Sequence, residues 1–453
     1  MRRLRSTLNE QYDSDANTQS VLVGSDTAEH RAPSVALIVL FLLYPLFRNI
    51  SEKFEFIFPL SVLAGVVLVA KSFTLKIRLN IPTVAWCALI LTVLGSFLFL
   101  GSDKSLNPGR LVMFVLTCTL MITMGSHPEW FKRFFLVALA MLAIHAAATL
   151  LFMVAPGLYH SVVKPMFFSD APNAVGHQSG LTSHYSYNGM LLSAGVIMSG
   201  AWMASSVDGK RGLTHISGRR VVAFILFILA LLATSKRGPL LAVIAALSLS
   251  MLVASGKVKA WALMKIGAIF ATACLLLAIA APVVPQIGEV FERFTEVVTS
   301  STNEDATNGR NLLWDRAIDL WKEKPITGNG WGTYRYYWEG RSDVVTRSAH
   351  NVYLNLLSDV GVIGFAVFLI AAVPPFIGLW KVSSSYKLFD VDSKMIIYFA
   401  FAYQIFFFIY CISGSPLYDI ESYIFYMLFS NSVWFAIDSC LKSRAVSSRG
   451  LGR

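Results

Sequence analysis

The chain has 453 residues, of which 55% are hydrophobic and only 14% charged, against about 25% charged in a soluble globular domain. That balance excludes an ordinary soluble enzyme. The net charge of +11 does not imply nucleic acid, because most basic residues punctuate apolar runs as the positive-inside rule expects. The sequence therefore reads as an all-α polytopic membrane protein. Its five cysteines (Cys87, Cys118, Cys274, Cys411 and Cys440) lie inside or at the ends of apolar runs and form no C-x-x-C pair. Neither a disulfide framework nor a zinc site is expected.

Residues 1–32 are polar and mixed in charge, with no apolar stretch before Pro33. They read as a disordered cytoplasmic tail rather than a cleaved signal peptide. Twelve apolar runs follow, at 34–47, 54–70, 81–100, 111–124, 134–154, 186–206, 221–234, 240–256, 262–283, 362–380, 396–414 and 423–441. A span takes about 20 residues, or fewer where the helix is short or dips into a cavity. The first run is short and contains Tyr44-Pro45. The expected organisation is nine transmembrane helices in 33–283, a periplasmic loop or lid in 284–352 and three helices in 353–441. A cytoplasmic tail follows in 442–453.

Alternate loops must lie on opposite sides. One set comprises the N-terminal tail, 71–80, 125–133, 207–220, 255–261, 381–395 and the C-terminal tail. These loops are short and rich in basic residues, including Lys71, Lys76, Arg78, Lys210, Arg211, Lys381 and Lys387. They are assigned to the cytoplasm with both termini. The other set holds the long loops 155–185 and 284–352, which cross regardless of charge.

In chain order, the first outer loop carries VGHQSGLTSHYSYNGM, residues 175–190. His177 and His184 lack the clustered carboxylates that would make a metal site, and none is expected. Next comes SKRGP, residues 235–239. A helix from Val221 to Arg237 covers about 25 Å of a hydrocarbon core about 30 Å thick. Arg237 thus falls at or below the outer membrane surface. It either snorkels to lipid phosphate or faces a recessed polar cavity. Gly238 and Pro239 fit a tight turn or the first turn of the next helix.

The second outer loop contains GRNLLWDRAIDLWKEKPITGNGWG, residues 309–332. Leu313, Ala317 and Leu320 recur at helical spacing, as do Trp314, Ile318 and Trp321. They predict an amphipathic helix of about 14 residues that ends before Pro325. Arg310 in its first turn opposes the helix dipole. It is either an ordinary exposed arginine or a partner for a bound phosphate. The following GNGWGTYRYYWEG, residues 328–340, suits sugar stacking and, more simply, an interfacial aromatic belt. SAHNVYLNLLSDVGVIG, residues 348–364, then places His350 at the entrance of a span, with Asn351 able to cap the following helix. Asp390-Val391-Asp392 resembles the D-x-D of nucleotide-sugar transferases but falls in a short cytoplasmic loop and reads as a solvated turn.

Three landmarks thus occur in order: SKRG, GRNLLWDRAIDLWKEKPITGNG and AHNVYLNLLSDVGVIG. Together they resemble the O-antigen ligase and O-antigen polymerase superfamily of bacterial envelope glycosyltransferases. The resemblance covers about 221–370. The rest agrees only in layout, about twelve spans with one large periplasmic loop between late ones. The resemblance implies a Gram-negative inner-membrane enzyme whose active site faces the periplasm. Such an enzyme takes a glycan from undecaprenyl pyrophosphate and transfers it to an acceptor hydroxyl. A ligase uses lipid A–core as acceptor; a polymerase uses a growing lipid-linked polysaccharide. The family's two key arginines match Arg237 and Arg310, and its histidine matches His350. Lys236 departs from the pattern by adding a second cation, which either joins in holding phosphate or snorkels. No cofactor, metal or nucleic acid is implied. Membrane lipid and envelope-assembly proteins complete the expected partners.

On this reading the guanidinium groups grip the pyrophosphate through bidentate bonds and stabilise its rising charge as it departs. His350 takes the acceptor's proton. Contacts to acceptor or sugar are expected from Trp331, Tyr334, Arg335, Arg347 and Asn351. The arginines of 328–347, with Lys164, favour a ligase, whose acceptor is phosphorylated; the aromatic residues favour a polymerase. A lipid-linked sugar transporter or flippase is the alternative of another class, but it needs no outer loop ending in a positioned histidine. A scaffold in an envelope assembly is a third reading.

Overall fold

The computed structural model describes residues 32–75, 80–99, 108–124, 127–163, 178–205, 217–254, 279, 282, 310–332, 334, 348–383 and 389–437. Among them every regular element is helical. The order is α1 Val35–Leu46, α2 Arg48–Lys53, α3 Ile57–Ser72, α4 Ile81–Phe99, α5 Pro108–Met124, α6 Pro128–Val154 and α7 Pro156–Leu158. It continues through α8 Tyr185–Ala204, α9 Gly218–Ala233, α10 Arg237–Ala254, α11 Arg310–Glu323, α12 Val352–Ser383, α13 Val391–Tyr410 and α14 Ile420–Ser430. Of these, α6, α12 and α13 are each long and apolar enough to cross a membrane; α1, α3, α4, α5 and α10 are shorter apolar helices.

Each expected apolar run corresponds to a helix except 262–283. That run lies outside the described residues apart from Ile279 and Pro282, as do the tails 1–31 and 438–453 and the loop residues 283–309. The last expected run, 423–441, is not one continuous helix. It breaks after Ser430, where the Asn431 amide donates to the Met121 carbonyl at 2.7 Å. Asn431 and Ser432 form a turn there, and helix resumes at 433–437.

The bundle is built around α13, which packs on α8, α10, α12 and α14. Phe399 of α13 meets Phe135 of α6 and Phe429 of α14 edge-on, with ring centroids 5.5 and 4.7 Å apart. Edge-to-face packing suits the ring quadrupoles. α12 is peripheral and leaves Val362, Ile363, Leu369, Ile370, Val373, Ile377 and Trp380 exposed. An apolar face of that length suits lipid. Several buried hydroxyls bond back within their own helices. Thr117 donates to Met113 O, Thr149 to His145 O and Ser193 to Gly189 O, each at 2.7 Å.

Polar contacts sort the loops into two ends. At one end Lys132 pairs with Asp392 at 2.6 Å and Arg133 donates to Pro33 O at 2.8 Å. At the opposite end Arg48 pairs with Glu421 at 3.4 Å and lies over the Tyr187 ring. The first group joins segments that the charge pattern assigns to a single side. Asp390 and Asp392 of the D-x-D sequence are used locally: Asp390 caps α13 by accepting from Ser393 N at 2.8 Å, and Asp392 takes Lys132.

Candidate active site

The turn between α9 and α10 begins with a strained residue. Ser235 has φ +54°, a left-handed conformation costing an L-residue about 1–2 kcal/mol. It is buried, and its N–H is tied to Leu232 O at 2.9 Å. The twist turns Lys236 out of the helix path. α10 then starts at Arg237 with Pro239 in its first turn, where a missing N–H costs nothing. SKRGP is thus a strained turn followed directly by a helix start.

The amphipathic helix forms where the spacing predicts, over Arg310–Glu323, and Leu313 and Ala317 are its buried residues. They seat against the segment leading into α12. Trp314 Nε1 donates to Ala349 O at 3.0 Å, and Tyr334 OH donates to Leu313 O at 2.7 Å. Arg310 is the first residue of the helix and is partly buried.

Bonds made by its neighbours fix the backbone at His350. Ala349 N donates to Asn355 Oδ1 at 3.1 Å, and Val352 N donates to Cys411 O at 2.9 Å. Ser348 and Ser415 hydroxyls lie 2.7 Å apart. Asn351 Oδ1 accepts from Tyr353 N and Leu354 N at 3.0 and 3.2 Å, the side-chain cap of α12. His350 itself has φ +48° and an exposed side chain. The two non-glycine residues with positive φ among the described residues are therefore Ser235 and His350. Backbone strain of this kind persists only where the surroundings over-determine it, and it concentrates at functional sites.

These pieces meet in one cavity of about 660 Å³, lined by Lys236, Arg310 and His350 together with His184, Tyr185, Tyr187, Tyr410, Ser413, Ser415, Tyr418 and Asp419, among others. Lys236 Nζ lies 4.1 Å from the centroid of the Tyr185 ring, and that ring stacks on His184 at 4.1 Å. The wall is polar: it brings the basic side chains of Lys236 and Arg310 and the acidic Asp419 together beside the exposed His350 imidazole.

The other expected residues lie elsewhere. Arg237 is partly buried at the start of α10 and is not part of the cavity wall. Trp331 is buried, stacked on Tyr418 at 4.5 Å, so it backs the wall instead of forming it. Tyr334 is also buried, through its contact with α11. Asn351 spends its carbonyl oxygen on the cap. Arg335, Arg341, Arg347, Lys164 and His177 lie outside the described residues.

Sequence reasoning passed over the first turn of α8 and the segment 410–419. The run His184-Tyr185-Ser186-Tyr187 stands directly before a clean apolar stretch, as His350 does. That position was the available signal. It also passed over Asp359, a buried carboxylate whose Oδ2 accepts from Gly332 N at 2.8 Å.

Fold and site define a helical membrane protein with a cationic, polar cavity at one end of its bundle. Residues 222–369, about a third of the chain, match the model of the O-antigen ligase family, a range that takes in all three landmarks. No curated protein matches the chain. The matched range contains Lys236, Arg237, Arg310 and His350. The α8 turn and residues 410–419 fall outside it.

Proposed function

We propose that the chain spans the bacterial inner membrane about twelve times and acts at its periplasmic face as an O-antigen-ligase-like glycosyltransferase. It moves a glycan from undecaprenyl pyrophosphate to a hydroxyl of lipid A–core. The observation that carries this reading is the convergence of Lys236, Arg310 and His350, from three distant segments, on one polar cavity.

The donor's pyrophosphate lies against Lys236 and Arg310. The bond between the anomeric carbon and the phosphate oxygen breaks, and its electron pair leaves with the pyrophosphate. Developing charge there meets fixed cations in a partly enclosed site, where the attraction exceeds its value in water. The acceptor oxygen forms the new bond to the anomeric carbon and gives its proton to the His350 imidazole. Arg237, the residue directly after the cavity cation Lys236, is assigned to the phosphate through the family resemblance alone.

Purified protein given lipid-linked glycan and lipid A–core is expected to form the joined product without nucleotide or metal. Translocation of the donor across a bilayer with no transfer would instead make it a transporter. In cells, deleting the gene is expected to leave long lipid-linked polysaccharide that never reaches lipid A–core. Single repeats attached to the final acceptor would make it a polymerase.

A further inference from the structure

The α8 turn supplies cavity walls that the family match does not cover. The Tyr185 ring there has two partners. His184 stacks on it, with centroids 4.1 Å apart and planes at 28°. Lys236 Nζ stands 4.1 Å from the ring centroid, well inside the range of about 6 Å for cation–π attraction. His184 is itself fixed, because its Nδ1 accepts from Ser186 N at 3.1 Å and caps α8. Lys236 is attached to a backbone turn that Ser235 strains into the left-handed region. A lysine ammonium on a four-carbon stem is otherwise a mobile point charge. Here an aromatic platform limits where it can go.

From this arrangement we infer that Tyr185 is a positioning residue for the anion site: its ring, braced by His184, holds the Lys236 ammonium in the cavity where it meets a pyrophosphate. The inference rests on the proposed function and deepens it. It makes Lys236 the cation of the SKRG turn that touches the ligand. It also assigns a binding role to a segment outside the family-matched range. The ring face is the operative feature, since a cation is drawn to the negative face of the ring and not to the hydroxyl.

The test is binding of inorganic pyrophosphate to the full-length protein in detergent, followed by calorimetry, so that no transfer reaction is needed. Tyr185→Leu is expected to weaken binding about tenfold, within the range for a partly desolvated cation–π contact. Tyr185→Phe, which keeps the face, is expected to bind within about twofold of wild type. Lys236→Met is expected to weaken binding, and adding Tyr185→Leu to it to change nothing further. If the leucine variant does not fold, Tyr185→Met takes its place in the same cycle. Wild-type binding of the leucine variant, or losses that multiply in the double variant, would overturn the inference while leaving the proposed function standing. Failure of the wild type to bind pyrophosphate would remove both. Displacement of the pyrophosphate by phosphatidylglycerol micelles would assign the site to a lipid headgroup instead and also overturn it.

Discussion

His350 combines an exposed ring with a backbone that no ordinary residue adopts cheaply. Its φ of +48° lies where asparagine, with a short polar side chain, is among the residues best tolerated. His350→Asn should therefore keep the turn and the melting temperature while removing the base. Transfer is expected to fall by about 10²–10⁴-fold, the usual worth of general base catalysis. Near-wild-type turnover in a normally folded variant would exclude His350 from proton transfer. The neighbouring cations call for a different comparison. If Arg237 grips phosphate in two-pronged fashion, Arg237→Lys fails, because lysine offers a point charge in place of a planar fork. Full activity of Arg237→Lys, measured beside Lys236→Met, would reduce Arg237 to a membrane anchor and leave the chemistry to Lys236 and Arg310. The residue types were legible: an arginine at the end of a short apolar run, and a histidine entering another. Which of two adjacent cations faces the cavity was not, because a left-handed residue at Ser235 decides it and serine carries no such signal.

At the scale of elements, the segment 324–332 clasps a broken helix. α12 is interrupted at Gly361, with φ +64° and ψ −169°. The N–H groups freed by the break find acceptors in the loop: Val362 N donates to Pro325 O at 2.9 Å, and Ile363 N to Ile326 O at 3.3 Å. The loop donates in return, Asn329 N to Ser358 O at 2.9 Å and Gly330 N to Asp359 O at 2.8 Å. A Cβ on Gly328 would fall 2.3 Å from the Asp359 carbonyl, and one on Gly361 2.2 Å from Ile326 O. The glycines of ITGNGWG thus allow two backbones to approach and turn. The clasp joins the helix that begins with Arg310 to the helix that follows His350. Gly361→Ala or Gly328→Ala is expected to destabilise the protein by on the order of 2–3 kcal/mol or more, from positive φ combined with backbone overlap. A Cβ on Gly218 meets nothing within 4 Å, so Gly218→Ala should melt as wild type does. Thermal unfolding in detergent separates the cases, and an unchanged midpoint for Gly361→Ala would mean that the clasp is not rigid.

At the scale of the whole molecule, the cavity is composite. The family-matched range 222–369 supplies Lys236, Arg310 and His350, whereas His184, Tyr185, Tyr187 and residues 410–419 come from outside it. A periodicity argument could find the helices, and motifs could find one half of the site. The other half is brought in by the packing of α8 and α13, which no local pattern specifies. The composite cavity also makes sidedness decisive, because every wall residue lies at the end opposite Lys132, Asp392 and Arg133. Glu323, near the cavity end, and Val391, beside the Lys132–Asp392 pair, are both exposed. Each can carry a single cysteine in a chain whose own cysteines are replaced by serine. The proposed topology puts the Val391 end in the cytoplasm, the side the basic residues of the short loops favour. In cells with a permeabilised outer membrane, Glu323→Cys is expected to react with an impermeant maleimide, and Val391→Cys only after the inner membrane is opened. The reverse pattern would put Lys236, Arg310 and His350 on the cytoplasmic side, where a periplasmic acceptor hydroxyl could not reach the imidazole, and the proposed transfer would fail with it.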